Sequence, residues 1–460
     1  MGLTEQEYFT RLQTKQVLVL GLGVSNRPLV RLLLRYGIDV TGCDKTPRQA
    51  LDEEVLQLER DGCRLKVGED YLKDLSADVV FRTPGIHPDT PQLRLLRENG
   101  AKVTSEMEAF FELCPCQIIG VTGSDGKTTT TTLISELLKK AGRTVWLGGN
   151  IGQPLLPLAA QMAPEDVAVV ELSSFQLLDM THSPHIAVVT NVTPNHLDVH
   201  KDMQEYIAAK EAIFRHQGPG DIAVFNLDNA LTRQMADKAP GKVLCFSRTA
   251  APDRGVYLKD GMIYRAGATP QPVLAQKDIL IPGIHNVENY MAAICAVQGL
   301  APDDVVQETA KTFGGVEHRI ELVRVKDGVS YYNDSIASSP TRTIAGLRSF
   351  EKKVILIAGG YDKQIPYDVL GPEVVQHVKT LVLTGATAPK IKASVQAAPG
   401  YGPQTPSIIE ADDFYSAIEA AAAAAQPGDI VLLSPASASF DHFKNFMVRG
   451  NEFKKKVMEL

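Results

Sequence analysis

Short runs of Val, Ile and Leu recur along the chain, and the stretches between them carry apolar residues at three- and four-residue spacing. The runs at 16–20, 38–43, 78–81, 117–121, 167–171, 186–190, 221–225, 353–358, 379–383 and 429–433 are nearly continuous rather than alternating. That pattern predicts parallel strands buried on both faces. Shorter strands are expected at 144–147 and 330–333, and helices at 28–36, 128–141 and 203–214. Alternation of the two kinds of segment predicts an α/β chain.

At roughly 150 residues per domain, 460 residues suggest three domains. The pattern breaks near Ser105 and again at Gly314-Gly315, which predicts units at 1–105, 106–314 and 315–460. Residues 247–278, with Asp260-Gly261 between β-prone runs, read as a small β excursion inside the second unit. There is no internal repeat and no low-complexity linker.

Composition narrows the class further. With 44% hydrophobic and 22% charged residues the bulk is neither disordered, collagenous nor coiled coil. A formal net charge of -7 argues against a nucleic-acid or anionic-membrane binder, while a locally positive pocket for a small anion stays compatible with it. Six cysteines are too few for a disulfide scaffold, and Cys114 and Cys116 lack C-x-x-C spacing, so all six are read as reduced. No signal-peptide pattern is present, and no apolar run reaches the roughly 18–20 residues of a spanning helix. The expected compartment is the cytosol, without membrane insertion.

The chemistry gathers at strand ends. After 117–121 comes Gly120-Val-Thr-Gly123-Ser124-Asp125-Gly126-Lys127-Thr128-Thr129, opening a helix. Such a turn aims backbone N–H groups and a helix N-terminus at phosphate oxygens, with Lys127 neutralising charge and Thr128 reaching magnesium. It is not a strict P-loop, because the first glycine of that motif would fall at Val121. Strand 167–170 ends in Glu171, a plausible oxygen ligand for magnesium near a phosphate loop and otherwise a solvated strand end. Asn150 is either a turn residue or a polar group near the γ-phosphate. His196 follows strand 186–190, and Lys210 lies within the helix at 203–214; each alone would more often be structural. Asn286 and Asn289, three apart, fit helix capping or an adenine edge. Arg319 and Asp334 fit either an ion pair and a cap or nucleotide phosphate and ribose. At the N-terminus Gly21-Leu-Gly23-Val24-Ser25-Asn26 is a weak dinucleotide fingerprint, since Asn26 stands at the third glycine. Asp44 and Gly85 follow neighbouring strands.

These motifs, in this order and over essentially the whole chain, resemble the Mur ligases, the ATP-dependent amide-forming ligases of peptidoglycan precursor synthesis. The phosphate loop, Glu171-Leu-Ser-Ser-Phe-Gln-Leu and His285-Asn286-x-x-Asn289 are family-wide signals. The segment Ser434-Pro-Ala-Ser-Ala-Ser439-x-Asp-x-Phe-Lys-Asn-Phe446, followed by Arg449-Gly450, resembles the members that add D-glutamate, and the Asp-Asn-Pro-Arg motif of those adding the third residue is absent. The resemblance implies a Rossmann-like uridine-nucleotide domain, a central P-loop-type ATPase domain with a parallel sheet, and a C-terminal Rossmann-like domain. It implies UDP-N-acetylmuramoyl-L-alanine, D-glutamate and ATP as substrates, with two magnesium ions, in a monomer. By motif position Val24, Ser25, Asp44, Lys45 and Gly85 would line the uridine diphosphate site. Gly123 to Thr129, Asn286, Asn289, Arg319 and Asp334 would hold ATP. Thr128 and Glu171 would bind one metal ion; His196 would ligate the second or position substrate, with a carbamylated Lys210 as a further oxygen donor for magnesium. Lys363, Ser439 and Phe446 would form the D-glutamate pocket. Two positions depart from the family pattern: Asn195 stands where Asp is usual, and Ile336 where Lys is usual, with Arg342 a candidate replacement cation. The rival readings are another amide ligase of the superfamily, folylpolyglutamate synthase-like or a neighbouring Mur ligase, and a non-catalytic ATP-binding regulator.

Overall fold

The computed structural model describes residues 4–194, 199–402 and 405–460. Among the described residues, twenty strands form three sheets. The first contains β1 (Val17–Leu20), β2 (Val40–Asp44), β3 (Arg64–Val67), β4 (Val79–Arg82) and β5 (Lys102–Thr104) in the order β3-β2-β1-β4-β5, all parallel. Its central strands are buried on both faces, as their unbroken apolar runs require. Val17 and Val19 point into one core, and Leu18 and Leu20 into another with Val80, Leu93 and Leu96.

The second sheet contains β6 (Gln117–Thr122), β7 (Val145–Gly149), β8 (Val167–Glu171), β9 (Ile186–Val189), β10 (Ile222–Asn226), β11 (Lys242–Ser247), β12 (Gly255–Lys259), β13 (Met262–Arg265) and β14 (Gln271–Ala275). Their order is β14-β13-β12-β11-β10-β9-β6-β8-β7. Strands β6 to β12 pair in parallel; β12, β13 and β14 form an antiparallel meander, which is the β excursion expected at 247–278. The third sheet contains β15 (Glu321–Lys326), β16 (Val329–Asn333), β17 (Val354–Ala358), β18 (Val378–Leu383), β19 (Ser407–Glu410) and β20 (Ile430–Leu433), ordered β15-β16-β20-β17-β18-β19, with only β15 antiparallel. Alternate residues of β17 again serve two cores, Val354, Leu356 and Ala358 on one face, Ile355 and Ile357 on the other.

The chain divides into two compact units, Met1–Gln276 with Glu288–Thr309, and Lys277–Val287 with Ala310–Leu460. The first holds the first two sheets and the second holds the third. In each sheet the strand order departs from chain order beside a central strand, the place where open α/β sheets bind ligands at their carboxyl ends.

Candidate active site

The phosphate loop forms because β6 ends at Thr122 and the helix Lys127–Lys140 starts five residues later. Gly126 caps that helix at φ 78, and a Cβ there would lie 2.4 Å from Asn289 Oδ1. At Gly123 a Cβ would lie 1.9 Å from Thr190 Oγ1. Both glycines are therefore demanded by neighbours as well as by backbone angle. The loop is pinned from β9: Ser124 N–H donates to Asn191 O at 2.9 Å, Asp125 N–H to Asn191 Oδ1 at 2.9 Å, and Thr190 Oγ1 to Asp125 O at 2.6 Å. Thr128 and Lys127 are half-buried on the first turn.

Two lysines converge on one carbonyl. Lys127 Nζ donates to Gly123 O and Ser124 O, each at 2.9 Å, and Lys210 Nζ donates to Gly123 O at 2.8 Å. Lys210 projects from the helix Met203–Arg215 and lies 4.7 Å over the Tyr206 ring, 1% exposed. Burial, reinforced by the charge of Lys127, draws its pKa down to about 7. Near neutral pH much of Lys210 is an uncharged amine.

Glu171 closes β8 next to Val121 of β6. Its Oε1 accepts from Asn150 Nδ2 at 2.7 Å, and Asn150 N–H donates back to Glu171 O at 2.8 Å. The other carboxylate oxygen, Oε2, is buried and, among the described residues, has no hydrogen-bond partner. A buried carboxylate oxygen left bare is costly unless something positive occupies its lone pairs, so the residues present fit a hard divalent cation. Asn289 braces the loop, its Oδ1 accepting from Thr130 Oγ1 at 3.2 Å; Asn286, in the second unit, donates to Pro282 O at 2.6 Å. His196, with Asn195 and Asp198, lies outside the described residues.

On the first sheet, Asn26 explains its own departure from the glycine fingerprint. Its amide donates to Gly21 O at 2.8 Å and Leu20 O at 3.3 Å, so a side chain binds the turn where a third glycine would only permit it. Asp44 accepts from Leu22 N–H at 2.7 Å and Thr46 N–H at 2.9 Å; burial works against ionisation, but those N–H groups outweigh it and hold the carboxyl below its ordinary range. Val24, Lys45 and Gly85 are exposed, and Ser25 starts the helix Asn26–Arg35 with its hydroxyl making no capping bond.

Sequence reasoning missed Arg82. It is 1% exposed at the end of β4, donating to Ile86 O at 2.7 Å and Asp179 Oδ1 at 2.5 Å. With Ser25, Asn26, Pro84, Glu106 and Gln176 it lines a small cavity. Burial pushes Glu106 there up to about 7.

In the second unit, Asp334 follows β16, buried, and accepts from Ser434 Oγ at 2.8 Å. Burial pushes its carboxyl up to about 7 despite the hydroxyl and the charge of Arg319. Arg319 itself is exposed. Ile336 is half-buried, and its carbonyl accepts from Arg342 Nη1 at 3.2 Å, so a guanidinium does reach that turn. Ser439 is buried, Lys363 is exposed with Nζ 5.9 Å from the Phe440 ring, and Phe446 meets His318 edge-on at 6.0 Å. A second missed residue organises this segment: Arg449, 3% exposed, donates to Ser335 Oγ at 3.0 Å, Ser437 O at 3.1 Å and Ala438 O at 3.0 Å. Burial draws its guanidinium down to about 10. The pairing of Arg449 with Gly450 in the D-glutamate-type segment was the available signal.

Two family models match the chain: "Mur ligase middle domain" over residues 121–297 and "Mur ligase, glutamate ligase domain" over 318–437. Its relatives include the UDP-N-acetylmuramoylalanine--D-glutamate ligase of Acetivibrio thermocellus, 52% identical over 99% of both chains. The chain belongs to the Mur ligase family. Proteins of the same ligase name from Clostridium novyi, 49% identical over 100% of both chains, and Clostridium kluyveri, 48% over 98% of both, extend that likeness to the particular enzyme type. Solved structures share the fold at low identity. UDP-N-acetylmuramate-alanine ligase MurC from Thermotoga maritima has a TM-score of 0.57 at 17% identity, covering 97% of this chain and 99% of that one. The MurF ligase from Thermotoga maritima in complex with ADP has 0.55 at 19%, covering 96% and 95%.

Proposed function

We propose that this chain is an ATP-dependent, ADP-forming ligase that joins D-glutamate to UDP-N-acetylmuramoyl-L-alanine in peptidoglycan precursor synthesis. The full-length identity to ligases of that name carries the reading. The buried cluster at the phosphate loop supplies the chemistry it needs. An amine does not displace hydroxide from a carboxylate at useful rates, so the alanyl carboxylate first attacks the γ-phosphate of ATP, and ADP leaves. The amine of D-glutamate then attacks the acyl phosphate carbon, and phosphate departs from the tetrahedral intermediate. Lys127, swung from the loop carbonyls, shields the γ-phosphate while charge moves to the β-phosphate, and the loop N–H groups orient the chain of phosphates.

Thr128 and Glu171 would hold one magnesium ion, with the bare Oε2 as its ligand. Lys210 as a carbamate, with His196, would hold a second. Magnesium, when bound, supplies charge neutralisation on the phosphate oxygens. Lys210 suits carbamylation because its uncharged amine can attack carbon dioxide, forming an N–C bond and releasing a proton. That converts a cation into an oxygen donor. Asn150 orients Glu171. Residues 1–105 are proposed to take the uridine nucleotide through Val24, Ser25, Asp44, Lys45 and Gly85, and residues 106–314 to take ATP. Within 315–460, Arg319 and Asp334 would serve the nucleotide, and Lys363, Ser439 and Phe446 D-glutamate.

A reaction consuming ATP and a uridine nucleotide belongs in the cytoplasm, here in a monomer. Among the described residues, no helix is long and apolar enough to cross a membrane. The test is ADP release with UDP-N-acetylmuramoyl-L-alanine and a panel of amino acids. Turnover confined to D-glutamate supports the reading; turnover with a different amino acid, or none with magnesium and bicarbonate present, overturns it.

A further inference from the structure

Cys114-Pro115-Cys116 lies directly ahead of β6, and the ligase reaction has no use for it. Proline fixes its own φ and holds the preceding residue extended, and Cys114 has φ -64 and ψ 118. In extended backbone, residues two apart share a face. The thiols accordingly meet, with Cys114 Sγ 3.5 Å from Cys116 Sγ. Two extended residues separate the Cα atoms by roughly 6.6 Å, within the span of about 4.4–6.8 Å that disulfides bridge. Cys114 is half-buried and open to reagents, whereas Cys116 is 3% exposed, as a resolving thiol would be. Met162 Sδ, 4.0 Å from Cys114, completes a soft, apolar wall.

We infer that Cys114 and Cys116 form a dithiol–disulfide couple oxidised by low-molecular-weight disulfides, a reversible modification site at the foot of the strand that carries the phosphate loop. The hydrogen bond between the sulfurs raises Cys114 and lowers Cys116, so the two thiols titrate as a pair. Cys114 attacks one sulfur of R–S–S–R, the S–S bond breaks, and the departing RS group takes the Cys114 proton and leaves as a thiol. Cys116 then attacks the Cys114 sulfur, its proton goes to the second departing RS group, and the protein disulfide forms. Two thiols are oxidised, and one small disulfide is reduced to two thiols.

The full-length reduced protein is incubated with glutathione disulfide, acid-quenched and digested, and the peptide carrying residues 114–116 is weighed. The expected result is a loss of about 2 Da with no glutathione attached, reversed by dithiothreitol. In Cys116→Ser, which removes the resolving thiol, Cys114 should retain one glutathione. A wild-type peptide that stays fully reduced, or that keeps glutathione, overturns the inference. This wild-type result is decisive whether or not the variant folds.

Discussion

Glu171 carries one satisfied and one bare oxygen, and this asymmetry separates function from stability. Glu171→Gln keeps the shape and the bond to Asn150 but removes the buried charge. We expect turnover to fall at least about 100-fold, while the metal-free protein gains about 1–2 kcal/mol in urea unfolding. A destabilised variant would contradict the metal reading. Lys210 makes a second test through pH. Its folded pKa of about 7 lies below the 10.5 of a free lysine, so the unfolded chain binds more protons between those values. The penalty is complete below pH 7 and fades as pH rises. In carbon-dioxide-free buffer, wild-type stability relative to Lys210→Met should therefore climb from pH 7 to pH 9, by at most about 1.4 kcal/mol per unit. Lys127 and Glu171 stood out in sequence because each sits at a fixed offset from a strand end or a glycine turn, whereas Lys210, inside a helix, was singled out only by the family resemblance. Arg82 and Arg449 were not. Their roles come from carbonyls in loops far apart in the chain, such as Ile86 with Phe175, and Ser335 with Ala438.

Among elements, the same distinction runs between the middle of a sheet and its rim. Central strands such as β1, β8, β17 and β20 announce themselves because both faces are covered and every position must be apolar. The strands left unread, β3, β5, β15 and β19, all lie at sheet edges and keep several positions half-exposed or exposed. One-sided burial imposes no continuous run, and β11, the remaining omission, is also half-exposed along much of its length. The turn after β4 depends on Arg82, which holds the Ile86 carbonyl and anchors to Asp179. Arg82→Met should cost about 1–3 kcal/mol in denaturant unfolding, because it leaves the Ile86 carbonyl without its side-chain donor and Asp179 with Arg97 alone. It should also raise KM for the uridine nucleotide more than KM for ATP. Equal changes in both would point to a general loss of structure.

Taken whole, the molecule handles two nucleotides and a dicarboxylate at a net charge of -7. Its candidate cations fall into two classes. Lys127 is half-buried beside the phosphate loop, while Lys45, Arg319 and Lys363 are exposed. Salt screens the second class far more than the first. Raising ionic strength from about 0.05 to 0.3 M should raise KM for D-glutamate and the uridine nucleotide about threefold or more, and KM for ATP by less, because the half-buried Lys127 shares that site with the exposed Arg319. A larger rise for ATP would show that exposed charge dominates there.

The discontinuity of the first unit also has a bearing on how the protein comes into being. Its final segment, Glu288–Thr309, follows eleven residues that belong to the second unit, so this unit cannot be finished until residue 309 has been translated. At about 5–20 residues per second that takes roughly 15–60 s on the ribosome. Until then the nascent phosphate loop is without Asn289, the residue against which Gly126 and Thr130 rest. A fragment cut at Gln276, where the first long stretch ends, would remain in that unfinished condition permanently.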